Sequence, residues 1–168
     1  GTPFTDFEKM SILSVKRALN KCQIDTSNKR TIFILSTTKG NVELLNKEIG
    51  GKYAHEQLFL WHTAEKIAHF FGNSNTPIVV SNACISGVSA QIMAKRYLLT
   101  GLYDTAIVIG CDCLSQFVVS GFQSFKALSP TACRPFDRDR IGLNIGEAAA
   151  CVILSVKDET DLQTNDIF

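Results

Sequence analysis

Cysteines, histidines and an alternating run of arginine and aspartate are the groups in this sequence with the chemistry to act on a substrate. Cys84 stands in the most informative context. An apolar run, Ile78-Val79-Val80, comes just before it, and a helical pattern follows it. A cysteine between a strand and the first turn of a helix meets unpaired N–H groups and the positive end of the helix dipole. Both stabilise a thiolate. The same N–H groups can hydrogen-bond an oxyanion built on a carbonyl attached to that sulfur. Ala83 is small, and Gly87 lets backbones approach closely. A free cysteine is more often a small buried hydrophobe. The strand–Ala–Cys–x–Ser–Gly–helix setting is what points to a nucleophile.

Other candidates carry less. His55, His62 and His69 recur every seven residues, which would set them on one helical face. Seven residues rise about 10.5 Å, too far for two imidazoles to meet at one oxygen or one metal ion. No zinc site is read from His62, Glu65 and His69, and no metal site is expected elsewhere. Cys111 and Cys113 flank Asp112 at a strand end and share a face, but nothing nearby in sequence completes four ligands. Packing is expected of them, and of Cys22, Cys133 and Cys151. The segment Arg134 to Arg140 reads as a self-satisfied ion-pair network pinning a loop beneath the site, rather than as a phosphate cradle. Phe117, Phe122 and Phe125 are expected in the core. Lys95, Arg96, Lys126 and Arg138 are surface cations that would greet an acidic partner only if they cluster.

Holding a sulfur at such a turn requires a sheet with helices on its faces. The pattern predicts a helix from about Thr5 to Lys21, with a Thr5/Glu8 capping box and a stripe of Phe7, Met10, Leu13 and Leu19. Thr31 to Ser36, apolar on both faces, reads as a central strand. A short helix falls between Gly40 and Gly50-Gly51, and a longer one, about Ala54 to Phe71, stops at Gly72. Ile78 to Val80 reads as a short buried strand, and the helix after Cys84 runs to Thr100. Thr105 to Gly110 is a third strand, Ser115 to Leu128 a helix, and Ala148 to Val156 a fourth strand. The tail, Lys157 to Phe168, is polar and weakly structured. Alternation of this kind implies βαβ crossovers and a mostly parallel sheet. Chemistry in such sheets sits beyond the carboxyl ends of the strands, where Cys84 lies.

Seventeen Lys and Arg against sixteen Asp and Glu give a formal net charge of +1 over 168 residues, with no run of like charges. A general nucleic-acid or membrane footprint is not expected. No apolar stretch approaches the roughly 18 residues that span a bilayer. The start, Gly1-Thr2-Pro3-Phe4, lacks the features of a signal peptide. Six cysteines at irregular spacing, with no CxxC, fit free thiols in a reducing cytoplasm.

Three segments in order resemble the elongating β-ketoacyl-acyl-carrier-protein synthases, members of the thiolase-like condensing enzymes. The first is Ser81-Asn82-Ala83-Cys84-Ile85-Ser86-Gly87, similar to the family's Ala-Cys-x-Ser-Gly around its acylated cysteine. The second is Gly121-Phe122-Gln123-Ser124-Phe125-Lys126-Ala127-Leu128-Ser129, similar to a Phe-rich segment ending in Ala-Leu-Ser. The third joins Arg134-Pro135-Phe136-Asp137-Arg138-Asp139-Arg140-Ile141-Gly142 to Gly146-Glu147-Ala148-Ala149, and it resembles the elongating branch. Departures are Ile141 where the family usually has Asp, and Ala148 and Ala150 where it usually has Gly.

The resemblance implies an α/β fold: a thiolase-like, layered βαβ sheet, mostly parallel, with helices on both faces. It implies only the N-terminal half of that fold, in residues 1–156, with the family's opening strand and C-terminal half missing. That second half carries two histidines, a lysine and a gatekeeping phenylalanine. The implied activity is acyl transfer to Cys84 followed by decarboxylative condensation with malonyl-carrier protein, in fatty acid or polyketide synthesis. No bound cofactor is implied, since substrates arrive on the phosphopantetheine of acyl-carrier protein. The implied partners are that carrier and a second synthase chain, identical or synthase-like. A two-fold interface of the family type would place the strand after Gly101 at the dimer contact. Two other readings compete: a non-catalytic, chain-length-determining partner, which would typically lack the cysteine, and a cysteine hydrolase of the α/β class. The hydrolase elbow has glycines where Asn82 and Ser86 stand, and its late histidine has no counterpart after His69.

Overall fold

Thr31–Ser36 (β1) is buried along its whole length, as expected of a strand apolar on both faces. The computed structural model describes residues 3–156 and places β1 inside a four-stranded sheet. The other strands are Ile78–Val80 (β2), Thr105–Asp112 (β3) and Ala148–Ser155 (β4), in the order β2-β1-β3-β4. The first three run parallel, whereas β4 is antiparallel to β3. The sheet is therefore mixed. Helix Asp6–Leu19 (α1) precedes β1, and Lys47–Gly50 (α2), Leu60–Phe70 (α3), Ser86–Leu99 (α4) and Gln116–Ser124 (α5) lie between the strands.

The two-residue period of β1 and β3 sorts their side chains into two cores. Phe33, Leu35, Ile107, Ile109 and Cys111 pack with α1 and α3 through Phe7, Ile12, Val15, Ala64, Ile67 and Ala68. Ile32, Ile34, Ala106 and Val108 face the other way and pack with Ala90 and Ala94 of α4.

A polar knot joins the start of α1 to the loop after β1. Thr5 caps α1, its hydroxyl accepting from the Glu8 amide at 3.1 Å while Glu8 accepts from the Thr5 amide at 2.9 Å. Glu8 is 0% exposed. Its carboxylate also accepts from Gln57 Nε2 at 3.0 Å and pairs with Lys66 at 3.2 Å. Asn41 takes the Thr5 hydroxyl at 2.7 Å and donates to the Gln57 carbonyl at 2.9 Å.

Several expectations need correction. The buried face of α1 is Phe7, Glu8, Ser11, Ile12 and Val15, while Leu13 is exposed, because the knot rotates Glu8 inward. The helix expected from Ala54 is broken at the extended residue Phe59 into a 3-10 turn, His55–Leu58, and α3. His55 thus leaves the helical face of His62 and His69. Strand β2 is half-buried, since it pairs on one side only. Phe117 and Phe125 are exposed rather than core, because α5 has no buried residue and its main packing partner is the short 3-10 turn Val42–Leu45. The strand after Gly101, β3, is hydrogen-bonded on both sides and has no edge to offer a second chain; the sheet's edges are β2 and β4. The tail expected from Lys157 onward lies outside the described residues.

Removing the buried Glu8 carboxylate takes the acceptor from the Thr5 N–H and the counter-charge from Lys66, leaving Gln57 and Lys66 with the Pro3 carbonyl. Glu8→Ala is expected to cost about 3 kcal/mol or more in denaturant unfolding, with Glu8→Gln costing less because it keeps an acceptor. An Ala variant as stable as the parent would refute the knot's role.

Candidate active site

The candidate nucleophile sits where the chain turns from β2 into α4. Ser86, at the first position of α4, is 4% exposed, and its hydroxyl acts as a clasp. It accepts from the Asn82 amide at 2.8 Å and donates to the Ala83 carbonyl at 2.7 Å. The Ser86 and Ile85 amides bond back to the Ala83 and Asn82 carbonyls, each at 3.2 Å. This tight elbow drives Ala83 to φ 46°, a left-handed conformation uncommon for a residue with a Cβ. The serine of Ala-Cys-x-Ser-Gly is thus a structural part of the turn. Cys84 emerges exposed, two residues before a 14-residue helix.

Cys84 opens on a cavity of about 370 Å³. The carboxyl ends of β1 and β3 contribute Ser36, Thr38 and Asp112, and the entrance to β4 contributes Glu147. Asp112 Oδ1 accepts from Thr37 Oγ1 at 2.9 Å, from the Thr38 amide at 3.0 Å and from Thr38 Oγ1 at 2.9 Å. It therefore ties the loop after β1 into the cavity wall. Glu147 Oε2 accepts from the Leu114 amide at 3.1 Å, joining the ends of β3 and β4. Sequence reasoning passed over Asp112; its place at a strand's carboxyl end was the available signal.

The fold brings two of the three sequence segments to this cavity, the elbow and Gly146-Glu147. The Arg134–Gly142 loop lines no part of it. That loop is nonetheless held as a unit. Arg134 pairs with Asp137 at 3.5 Å and donates to the Asp139 carbonyl at 2.7 Å, and Arg140 donates to the Asp137 carbonyl at 3.0 Å. Gly142 adopts φ 152°, and a Cβ there would fall 2.8 Å from the backbone of residues 127–129. None of the three histidines lines the cavity. Lys95, Arg96, Lys126 and Arg138 are exposed.

The remaining cysteines are free thiols. Burial pushes the Cys151 thiol up to about 12. The neighbouring Cys111 and Cys113 thiols act on each other, which lowers Cys111 and raises Cys113. Among the described residues no helix is long and apolar enough to cross a membrane.

Residues 5–160 match the family model of the β-ketoacyl synthase N-terminal domain. The chain belongs to the β-ketoacyl synthase family. A 3-oxoacyl-[acyl-carrier-protein] synthase 2 of Mycobacterium leprae is 33% identical over 100 residues, 55% of this chain and 23% of that protein. A polyketide biosynthesis malonyl-ACP decarboxylase of Bacillus subtilis is 30% identical over 97 residues, 52% of this chain and 23% of that protein. A β-ketoacyl synthase structure from Burkholderia phymatum superposes with a TM-score of 0.79 at 23% identity, over 90% of this chain and 42% of that one. A Xenorhabdus doucetiae ketosynthase in complex with its chain length factor gives 0.75 at 24%, over 95% and 46%. The ketosynthase chain thus spans less than half the length of these relatives. Their fold is the thiolase-like one, and the layered sheet here is its N-terminal half.

Exposure and ionisation together rank the thiols of this ketosynthase domain for alkylation. At pH 8 a thiol that titrates near 12 is ionised in only about one molecule in ten thousand. In an iodoacetamide time course read by peptide mapping, Cys84 is expected to be alkylated well before Cys111 and Cys151. Labelling of Cys151 ahead of Cys84 would contradict the geometry.

Proposed function

We propose that this chain is the nucleophile-bearing half of a β-ketoacyl-acyl-carrier-protein synthase, with Cys84 as the acylated residue. The observation that carries the reading is the exposed sulfur at the clasped elbow before α4, opening on a cavity at the strand ends. The Cys84 thiolate attacks the carbonyl of an acyl thioester held on carrier-protein phosphopantetheine. The elbow amide of Cys84 and the α4 dipole stabilise the oxyanion of the tetrahedral intermediate. The bond to the phosphopantetheine sulfur then breaks, that sulfur leaves as a thiolate and takes a proton, and the acyl group stays on Cys84. In the second stage a malonyl thioester loses CO₂, its carbanion attacks the Cys84 thioester, and the Cys84 thiolate is released.

Acyl-carrier protein is the partner this chemistry requires, and a second synthase-like chain is the other partner we infer. The cytoplasm is the compartment we infer from six free thiols. A non-catalytic, chain-length-determining role is the second reading. What favours it is that the solved neighbours include ketosynthase/chain length factor pairs, in which both partners occur. The elbow cysteine argues for the catalytic reading.

Incubated with acyl-carrier protein bearing a saturated acyl chain, the full-length polypeptide containing this chain is expected to gain one acyl mass on the Cys84 peptide. Cys84→Ala is expected to gain none. An adduct that persists in Cys84→Ala, or no adduct on the parent under conditions where a known synthase is acylated, overturns the assignment.

A further inference from the structure

Three sulfur-bearing side chains, Cys111, Cys113 and Met10, lie between the end of β3 and α1, and the acyl-transfer reading uses none of them. Cys111 and Cys113 stand two apart on β3 and at its exit, so both face α1. Cys113 donates its S–H to Met10 Sδ at 3.7 Å, and the two thiols are close enough to shift each other's ionisation. Cys111 Sγ is itself 3.7 Å from the Phe7 carbonyl of α1 and is 3% exposed, while Cys113 is half-buried. Met10 and Cys113 also wall a small cavity of about 140 Å³ that gives the cluster access.

We propose that Cys111, Cys113 and Met10 form a site for a soft monovalent metal ion of the copper(I) type. The donor set selects it. Thiolate and thioether are soft ligands that favour copper(I), whereas magnesium, calcium and manganese take oxygen. Among the described residues no three His, Cys, Asp or Glu side chains converge as a metal-holding group, so a four-coordinate zinc site is not available. Copper(I) is satisfied by two or three sulfurs. Two sulfurs each about 2.3 Å from one ion, at a trigonal angle, stand about 4 Å apart, close to the Cys113–Met10 separation. Loading breaks two S–H bonds and forms two metal–thiolate bonds, releasing two protons to solvent. Met10 joins as a neutral donor. From sequence alone the two cysteines read as packing, because their third ligand lies about a hundred residues away.

The test uses the full chain in a Cys84→Ala background, which removes the exposed thiol. Copper(I) is supplied without oxygen as its bicinchoninate complex, and the loss of that chromophore reports transfer. The expected result is one equivalent withdrawn, with X-ray absorption showing only sulfur neighbours. Adding Cys113→Ser is expected to weaken binding at least tenfold, Met10→Leu severalfold, and Cys151→Ser not at all, with unchanged circular dichroism in each. Cys113 is half-buried and Met10→Leu conserves bulk, so at least one variant reports on a folded chain. No withdrawal by the parent, equal withdrawal by Cys113→Ser, or a shell of nitrogen or oxygen overturns the proposal.

Discussion

The close approach of α4 to the sheet is the constraint from which the candidate site follows. Ala90 and Ala94 are fully buried one turn apart, against Ala106 and the aliphatic side chains of Ile32, Ile34 and Val108. Small residues at both surfaces let the helix axis come down onto the strands, and a larger side chain at any of the three would force it away. Ser86 lies on the same stripe, one turn before Ala90, so the contact that buries the alanines buries its hydroxyl too. A buried hydroxyl must find partners, and the ones in reach are the Asn82 amide and the Ala83 carbonyl. Satisfying it closes the elbow and turns Cys84 outward. The exposed sulfur is thus a consequence of alanines up to ten residues further along the helix.

Strand β3 divides its labour by parity. Its odd-numbered residues, Ile107, Ile109 and Cys111, face α1 and α3, while Ala106 and Val108 face α4. At the strand's end the same alternation sends the two cysteine sulfurs towards α1 and the Asp112 carboxylate towards the Thr37–Thr38 loop and the Cys84 cavity. A slip of one residue in the pairing with β1 would exchange them, putting thiols in the cavity and a carboxylate in the apolar layer. Burial of Ile107 and Ile109 forbids that slip, since it would move both to the other face. Core packing therefore decides which chemistry faces which compartment.

Local signals made much of this legible in the sequence. The Thr5/Glu8 capping box, the two-faced apolar run of β1 and the polar turn before β2 are short-range features, and the elements form where they indicate. The elbow was legible for the same reason, because Ser86, Cys84 and Ala83 act within a few positions of one another, although Gly87 meets no close neighbour where a close backbone approach was expected. What escaped depends on distant partners. Glu8 reads only as half of a capping box until Gln57 and Lys66 arrive to meet its carboxylate in the interior. Phe59 breaks the expected helix by adopting an extended backbone, and α5 leaves Phe117 in the open because its main packing partner is a short 3-10 turn. Asp112 becomes a site residue only once the loop after β1 is laid across the end of β3.

The electrostatics of the cavity separate the two halves of the proposed reaction. Acyl capture needs an accessible sulfur, an amide donor and a helix start, and the β2–α4 elbow holds all three within a few residues. Enolate formation from a malonyl thioester needs positive or donating groups facing the developing charge. The charged side chains that line this cavity are the carboxylates Asp112 and Glu147, and both are engaged as acceptors in holding loops together. A carboxylate opposes a nearby carbanion, and none of the histidines of this chain reaches the cavity. The arrangement therefore suits the covalent stage. The decarboxylative stage of the proposed reaction is the one that the charged lining of this cavity does not favour.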